Sequence, residues 1–303
     1  MNSTVNPTMT EKELRKANRI PSVLEVAARE VWRDKFAFVS FLLFLFLLGA
    51  AFIGGNLVDA DYVSRIRLLM RDLPPSEYGP WGTDNGGRCM FNIMLLSARN
   101  SFAISFTVTP ITLMIGYTTG LFIGYYGGYV DLVVMRIIEF FVMVPTLMII
   151  IFLVTIIENY GVFEFVLILI FTGWFAGATG LRARVLQESA RDYVSASKTL
   201  GTPNIAIIFK KVLPNVTSFI MVGVILGLAG SIGLETGLTV IGYGLPFGVP
   251  SIGRLIALGM NPIVLANRPW QWMPAALLIF LMTLAIYGFG LAISRAVNPR
   301  QRR

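Results

Sequence analysis

The side chains able to do chemistry in this 303-residue sequence are few, and their types exclude more than they allow. Histidine is absent, which removes the commonest general base near neutral pH and the commonest metal ligand. The single cysteine, Cys89, forms neither an internal disulfide nor a thiolate cluster, so cysteine metal sites and redox relays are excluded and no metal site is expected. The glycines of GTDNGGR, residues 82–88, follow no strand and precede no lysine. They read as a turn before a helix, and no Gly-x-x-x-x-Gly-Lys-[Ser/Thr] occurs to cradle phosphates. No cluster of Asp and Glu supplies an acid–base pair, so no catalytic residue is assigned and the chain is not expected to be an enzyme. Two carboxylates lie in apolar sequence. Glu139 follows Arg136 by three residues, the spacing of a local salt bridge, whereas Glu235 closes a long apolar run, where a carboxylate is costly and commonly functional.

The elements that must position these groups are dictated by composition. Apolar residues make up 55% of the chain and charged residues 14%, against about 25% charged in an ordinary soluble domain. The deficit is collected into six runs, Phe36 to Gly55, Phe102 to Gly124, Ile137 to Ile157, Val162 to Leu181, Val216 to Leu234 and Met273 to Ile293. Each approaches the ~20 residues that cross ~30 Å of hydrocarbon as a helix. The expected fold class is therefore all-α integral membrane, with six transmembrane helices. Threaded that way, 18 of the 25 Lys and Arg fall before the first run, in the two connections on the same side, and at the end, which places both termini in the cytoplasm by the positive-inside rule. The net charge of +8 needs no nucleic acid to explain it.

This gives a cytoplasmic segment 1–35, a first span 36–55, an extracytoplasmic loop 56–98, a transmembrane domain 99–294 with a large cytoplasmic loop 182–215, and a basic tail 295–303. The first run is too long and too far from the start for a cleaved signal peptide. Ahead of it Val23, Leu24, Val26, Ala27, Val31 and Trp32 form an amphipathic segment suited to the membrane surface. Met90, Ile93, Met94 and Leu96 suggest a similar amphipathic approach to the second span. Gly127 and Gly128 turn the chain within YYGGYVDLVVMR, the connection to the third span. Pro110 and Pro145 kink the second and third spans, Gly116, Gly120 and Gly124 mark a helix-packing face, and Trp270 and Trp272 suit an interface belt.

The loop RARVLQESARDYVSASKTLGTPNIAIIFKKVLPN, residues 182–215, reads as two helices with a built stop between them. The first ends where Gly201 takes a left-handed conformation; the second begins with Thr202 as N-cap and Pro203 at the first helical position, buries one face through Ile205, Ile208, Phe209 and Val212, and stops at Pro214. Such a short, capped pair beneath a helix bundle is a rigid projection able to transmit force.

The loop also resembles the membrane subunits of ABC importers, whose last large cytoplasmic loop carries Glu-Ala-Ala, three residues, Gly, nine residues and Ile-x-Leu-Pro. Ser195, Ala196 and Ser197 stand in the first three slots, Gly201 in the glycine slot, Lys211 in the isoleucine slot, and Leu213 and Pro214 at the end. The oligopeptide and dipeptide branch is matched further by Asp192, Tyr193, Val194, Leu200, Ile207, Ile208 and Asn215, and elsewhere by GTDNGGR, GYYGGYVDLVVMRIIEFFVMVP, ETGLTVIGYGLP and the ending AVNPR. The chain is similar to the C-type permease subunit of a peptide importer. That resemblance implies the type I importer permease fold in the plasma or inner membrane. It implies a second homologous permease, two cytoplasmic ATPase subunits that hold the ATP and Mg, an extracytoplasmic peptide-binding protein, and surrounding membrane lipid. It further implies that Tyr193, Val194, Ser195, Ala196, Leu200 and Gly201 form the coupling helix that docks on an ATPase, supported by Asp192, Leu213, Pro214 and Asn215. The chain itself would bind no cofactor, and Ser195 in the Glu slot removes any ion pair made there.

For Glu235 the residues leave two readings: a group at the outer gate that attracts a peptide's amino terminus, or a structural carboxylate that caps the glycine-rich segment through Gly244 or pairs with Arg254. For the whole chain they leave a permease for nickel or another small ligand, or a secondary transporter, beside peptide import. The absence of repeated halves and of midplane charge in the first and last spans weighs against the secondary transporter.

Overall fold

The computed structural model describes residues 29–77 and 79–297. The expected amphipathic stretch from Val23 to Ala27 and the tail arginines Arg300, Arg302 and Arg303 lie outside the described residues. Within them the chain is nearly all helix, with extended backbone paired only at a single bridge between Thr83 and Cys89. The long elements are α1 (Lys35–Leu57), α2 (Met90–Tyr126), α3 (Gly128–Met143), α4 (Thr146–Ile156), α5 (Val162–Ser189), α7 (Asn204–Val240) and α9 (Met273–Val297). Between them lie the short helices α6 (Asp192–Thr199) and α8 (Ile252–Leu258). Five of the long helices are individually long and apolar enough to cross a membrane, and α3 with α4 makes a sixth crossing when taken together. Their outward faces keep large apolar side chains exposed, among them Phe46, Phe140, Phe152 and Phe163, as a lipid-facing surface does.

The third span departs from a straight helix. α3 and α4 meet at 79° across a break at Val144 and Pro145. Proline has no N–H to donate and its ring drives the preceding residue out of the helical region, and Val144 accordingly sits at φ −90°, ψ 129°. α4, with 11 residues, is about 16 Å long and cannot cross alone. The connection before α3 is also shorter than its sequence suggests: the chain turns only at Gly127 and Gly128, both at φ +61°, and helix resumes at once. Arg136 and Glu139 form their expected pair on α3, at 3.1 Å and largely exposed.

α2 is 37 residues long, about 56 Å, and so exceeds any hydrocarbon thickness. The apolar residues expected to approach the membrane along its surface, Met90, Ile93, Met94 and Leu96, are instead the first turns of this one helix and are buried in the protein core. Further along, Gly116, Gly120 and Gly124 set α2 against α5. A Cβ on Gly116 would stand 2.5 Å from the Trp174 carbonyl, and one on Gly124 2.9 Å from the Arg182 carbonyl, with Gly120 tighter still against Ala178. The predicted packing face is thus a backbone-to-backbone contact.

The two ends of the bundle are chemically distinct. At one, Asp34 caps α1 by accepting from the amides of Phe36 and Ala37, and also accepts from Arg295 of α9 at 2.7 Å. The α6 region lies at this same end. At the other, residues 70–90 fold into a cap. Asp84 is wholly buried and accepts from the amides of Gly86 and Arg88 and from the Arg88 guanidinium, which makes GTDNGGR a turn, as read. The Thr83 carbonyl accepts from Trp270 Nε1 at 3.2 Å and Gln271 Nε2 at 2.9 Å, while Asp72 pairs with Arg268 at 2.8 Å. Trp270 therefore points its polar edge into the protein and packs on the core, and Trp272 lies against Gly259 with its own N–H buried. Both indoles are thus half-buried in protein contacts at this end of the bundle.

Candidate functional site

The projection predicted between the fourth and fifth spans is present, with shifted edges. Arg182 and Arg184 are not in a loop; α5 continues through Ser189, and Arg182 forms a two-pronged ion pair with Asp131 of α3. The chain then makes α6. Leu200 donates its amide to the Ala196 carbonyl, Gly201 to Lys198 at 3.0 Å, and Thr202 to Ser197 at 3.1 Å. The last two bonds are a Schellman closure, and Gly201 takes φ +74° as a C′ glycine must.

The start of α7 differs from the expectation. Pro203, at φ −59° and ψ 141°, occupies the cap position rather than the first helical one, and Thr202 caps nothing. Asn204 opens the helix, held by the Tyr125 hydroxyl of α2, which donates to its side-chain oxygen at 2.9 Å. Pro214 does not stop the helix. A π turn over Ile208–Val212 immediately precedes it, and the wider turn absorbs the missing donor and the ring's clash with the preceding carbonyls. Asn215 Nδ2 donates to the Lys211 carbonyl at 2.8 Å beside it. The same turn rotates the buried face: Ile207, Ile208 and Val212 are buried, and Ile205 and Phe209 are half exposed.

These shifts divide the predicted residues by role. Val194 is fully buried among Leu181, Val185, Ile207 and Ile208 and anchors α6 to the bundle. Ser195, Ala196, Leu200 and Gly201 are exposed, and Leu200 stands 84% exposed at the tip. Leu213 is partly buried, and Asp192 and Pro214 are exposed at the flanks.

Tyr193 joins a clasp that includes a residue the sequence reading passed over. Its hydroxyl donates to Glu188 Oε1 at 2.8 Å and accepts from Asn215 Nδ2 at 3.1 Å, while Arg191 pairs with Glu188 Oε2 at 2.9 Å. Burial, and then the Glu188 carboxylate, push the Tyr193 phenol up from its ordinary range, so it stays a donor. The Tyr193 hydroxyl thus ties α6 to α5 through Glu188 and to α7 through Asn215. Next to it a recess of about 710 Å³ opens among Arg184, Gln187, Glu188, Asn215 and Ser294. In sequence Glu188 looks like one more charge in a solvated stretch; the signal available was Arg191 at i+3 and an aromatic hydroxyl at i+5.

Glu235 lies near the other end of α7 and is fully buried. The Thr239 hydroxyl is 3.0 Å from Oε1, and Thr236 Oγ1 is 3.4 Å from Oε2. Thr239 Oγ1 in turn accepts the Leu245 amide at 3.3 Å, so the carboxylate holds the glycine-rich segment beyond Gly242 through one intermediary. Arg254 does not pair with it. That guanidinium donates to the carbonyls of Leu245 and Pro246.

Residues 116–303 match the family described as "Binding-protein-dependent transport system inner membrane component". The chain belongs to that family. Over 97% of its length and 99% of the relative's, this inner-membrane component is 39% identical to the oligopeptide transport system permease protein OppC of Lactococcus lactis subsp. cremoris (strain SK11). It is 33% identical to the dipeptide transport system permease protein DppC of Bacillus subtilis (strain 168), over 93% of this chain and 87% of that one. A chain of the MetNI methionine ABC transporter in inward-facing conformations shares the fold, with a TM-score of 0.52 at 17% identity over 68% of this chain and 98% of that chain. The family match includes every residue of the clasp and of α6, and with the apolar helices it makes the protein a multi-pass plasma-membrane component of a transport system.

Proposed function

We propose that this inner-membrane component is the permease subunit of a peptide-importing ABC transporter, with α6 as the helix that receives force from a cytoplasmic ATPase. The observation that carries the reading is the construction of α6. It is eight residues long, closed at its end by Gly201, anchored by Val194, clasped by Glu188, and presents Leu200 outward, 84% exposed. A helix so fixed moves with α5 and α7 as one body, and an apolar tip held in water is suited to a pocket on a partner.

In this reading the end carrying Asp34, Arg295 and α6 faces the cytoplasm, in keeping with the excess of Lys and Arg there. Two ATPase subunits bind ATP and Mg and hydrolyse the nucleotide, since this sequence has no phosphate loop. Their closure pushes on α6 and on its counterpart in a second permease, and the helices tilt to expose the path to the outside. A binding protein delivers the peptide there. Peptide as the cargo follows the names of the relatives, which transport oligopeptides and dipeptides.

Co-expression with the two ATPases tests the docking assignment. In a Cys89→Ser background, Ala196→Cys is expected to cross-link to an ATPase, and Gly201→Trp to abolish both co-purification and uptake. Retention of both by Gly201→Trp would remove α6 from the coupling path.

A further inference from the structure

At the end of the molecule opposite α6, a cavity of about 80 Å³ lies between the first turns of α2 and the segment that leads into α8. Arg88, Ser97, Ser251 and Arg254 line it, with Ile93 and Leu255 among its apolar walls. Arg88 is neutralised by Asp84, whose carboxylate lies 2.6 Å from its terminal nitrogen. Arg254 has no ion-pair partner among the described residues. One terminal nitrogen donates to the Leu245 and Pro246 carbonyls, and the guanidinium lies over the Phe247 ring at 4.7 Å. Its Nε is buried without an acceptor. Ser97 is fully buried and its hydroxyl also lacks a partner. Ser251 accepts the Arg254 amide at 3.2 Å, which leaves its own proton free to donate.

Arg254 is partly buried, and its Nε and the Ser97 hydroxyl are buried donors without acceptors around one cavity, which is costly and uncommon in native proteins. Burial and the neighbouring Arg88 both press the Arg254 guanidinium toward its neutral form, a cost that a bound anion removes. The space accommodates roughly two to three waters at about 30 Å³ each, which is close to one carboxylate with its attached carbon. A planar carboxylate also suits a guanidinium edge and hydroxyl donors.

We propose that this cavity binds a carboxylate, presented by the C-terminus of a carried peptide or by an acidic side chain of a protein docked on this end. The site rests on the cavity alone; only the choice between the two sources rests on the transport reading. No residue of α6 takes part, so failure here leaves the coupling assignment standing, and failure of the coupling assignment leaves this site standing.

The test uses the assembled transporter in lipid nanodiscs and trifluoroacetate as the probe, with binding read from ¹⁹F line broadening. The expected result is broadening reversed by acetate and not by acetamide. Ser97→Ala, which removes only an unpaired hydroxyl, and Arg254→Lys, which keeps the charge but loses the fork, should each weaken binding about tenfold, the effect of one hydrogen bond to a charged group. Equal broadening in both variants and the unaltered protein overturns the proposal, as does displacement by acetamide or equally by inorganic phosphate. Displacement by trialanine and not by its C-terminal amide supports the proposal with the solute as source. Displacement by the purified binding protein and not by trialanine supports it with the partner as source. If neither displaces the acetate-sensitive signal, both sources are overturned.

Discussion

Replacing Tyr193 by Phe removes one oxygen from the clasp and nothing from the packing of α6, because Val194 supplies the anchor. Two hydrogen bonds go with it, the 2.8 Å donation to Glu188 and the 3.1 Å acceptance from Asn215. A bond to a charged acceptor contributes about 1.5–3 kcal/mol and a neutral one about 0.5–1.5 kcal/mol. The Arg191 side chain, 56% exposed, keeps Glu188 partly compensated, and that exposed pair contributes about 0–1 kcal/mol by itself. Asn215 is exposed and recovers water. The net loss is therefore about 1.5 kcal/mol, set by the single bond to the 10%-exposed Glu188 side chain. Local opening of α6 should rise about tenfold, seen as a tenfold loss of amide-exchange protection across residues 192–200 in the assembled transporter. Peptide transported per ATP hydrolysed should fall, while ATPase co-purification is kept, because the exposed tip is unchanged. Glu188→Leu, which removes the acceptor, should give at least a similar loss of protection, and the double variant little more than Glu188→Leu alone, since both remove the same bond. Additive losses, or unchanged protection in Tyr193→Phe, would refute the clasp.

Gly120→Ala places a methyl group against the Ala178 carbonyl and should destabilise the bundle by about 1–3 kcal/mol, read as a lower unfolding midpoint in detergent, while Gly230→Ala, with open space at its Cβ position, should be far milder. Pro145→Ala should open the 79° break toward a straight helix, measured by spin-label distances between the two halves of the α3–α4 pair. The Arg295 hydrogen bond, followed by that of the Ala37 amide, holds the Asp34 carboxyl below its ordinary 3.8. A lowered carboxyl contributes stability that is present above the unfolded value and lost as pH falls through the folded one. Asp34→Asn should therefore loosen the contact of α1 with α9 at neutral pH and make no difference in acid, as followed by cross-linking between the two helix ends.

The six apolar runs were legible because lipid enforces helical hydrogen bonding on any long apolar segment. The stop at Gly201 was legible because only a left-handed residue closes a Schellman turn there. What escaped is non-local. Pro145 and Pro214 carry the same side chain with opposite outcomes: one breaks its helix, and the other sits in a continuous helix because a π turn before it provides the room. Nothing beside Pro214 in sequence announces that turn; it depends on the tertiary fit of Ile207, Ile208 and Val212 against α2, α5 and α6. Glu188 escaped for a related reason. Its charge reads as solvent-facing until Tyr193, itself held by Asn215, folds back onto it. Trp270 and Trp272 likewise take tertiary contacts, with Thr83 and Gly259, that their pattern in sequence does not announce.

The placement of Arg182 connects the clasp to the bent span. It lies six residues before Glu188 on α5, about 9 Å along the axis, and joins Asp131 in the first turn of α3. The end of α5 therefore holds α3 through Arg182 and α6 through Glu188, and reaches α7 by way of the Tyr193 hydroxyl. Gly116, Gly120 and Gly124 lock α2 to the same helix by backbone contact, which leaves little room for sliding between them. Under the proposed coupling, a push on α6 would not be absorbed where it arrives. The first place along this path where the chain lacks continuous helical bonding is the break at Val144 and Pro145, beyond α3. Relative movement is expected to concentrate there, between a strut made of α2, α5 and α7 and the short α4 that packs on α5 near its opposite end.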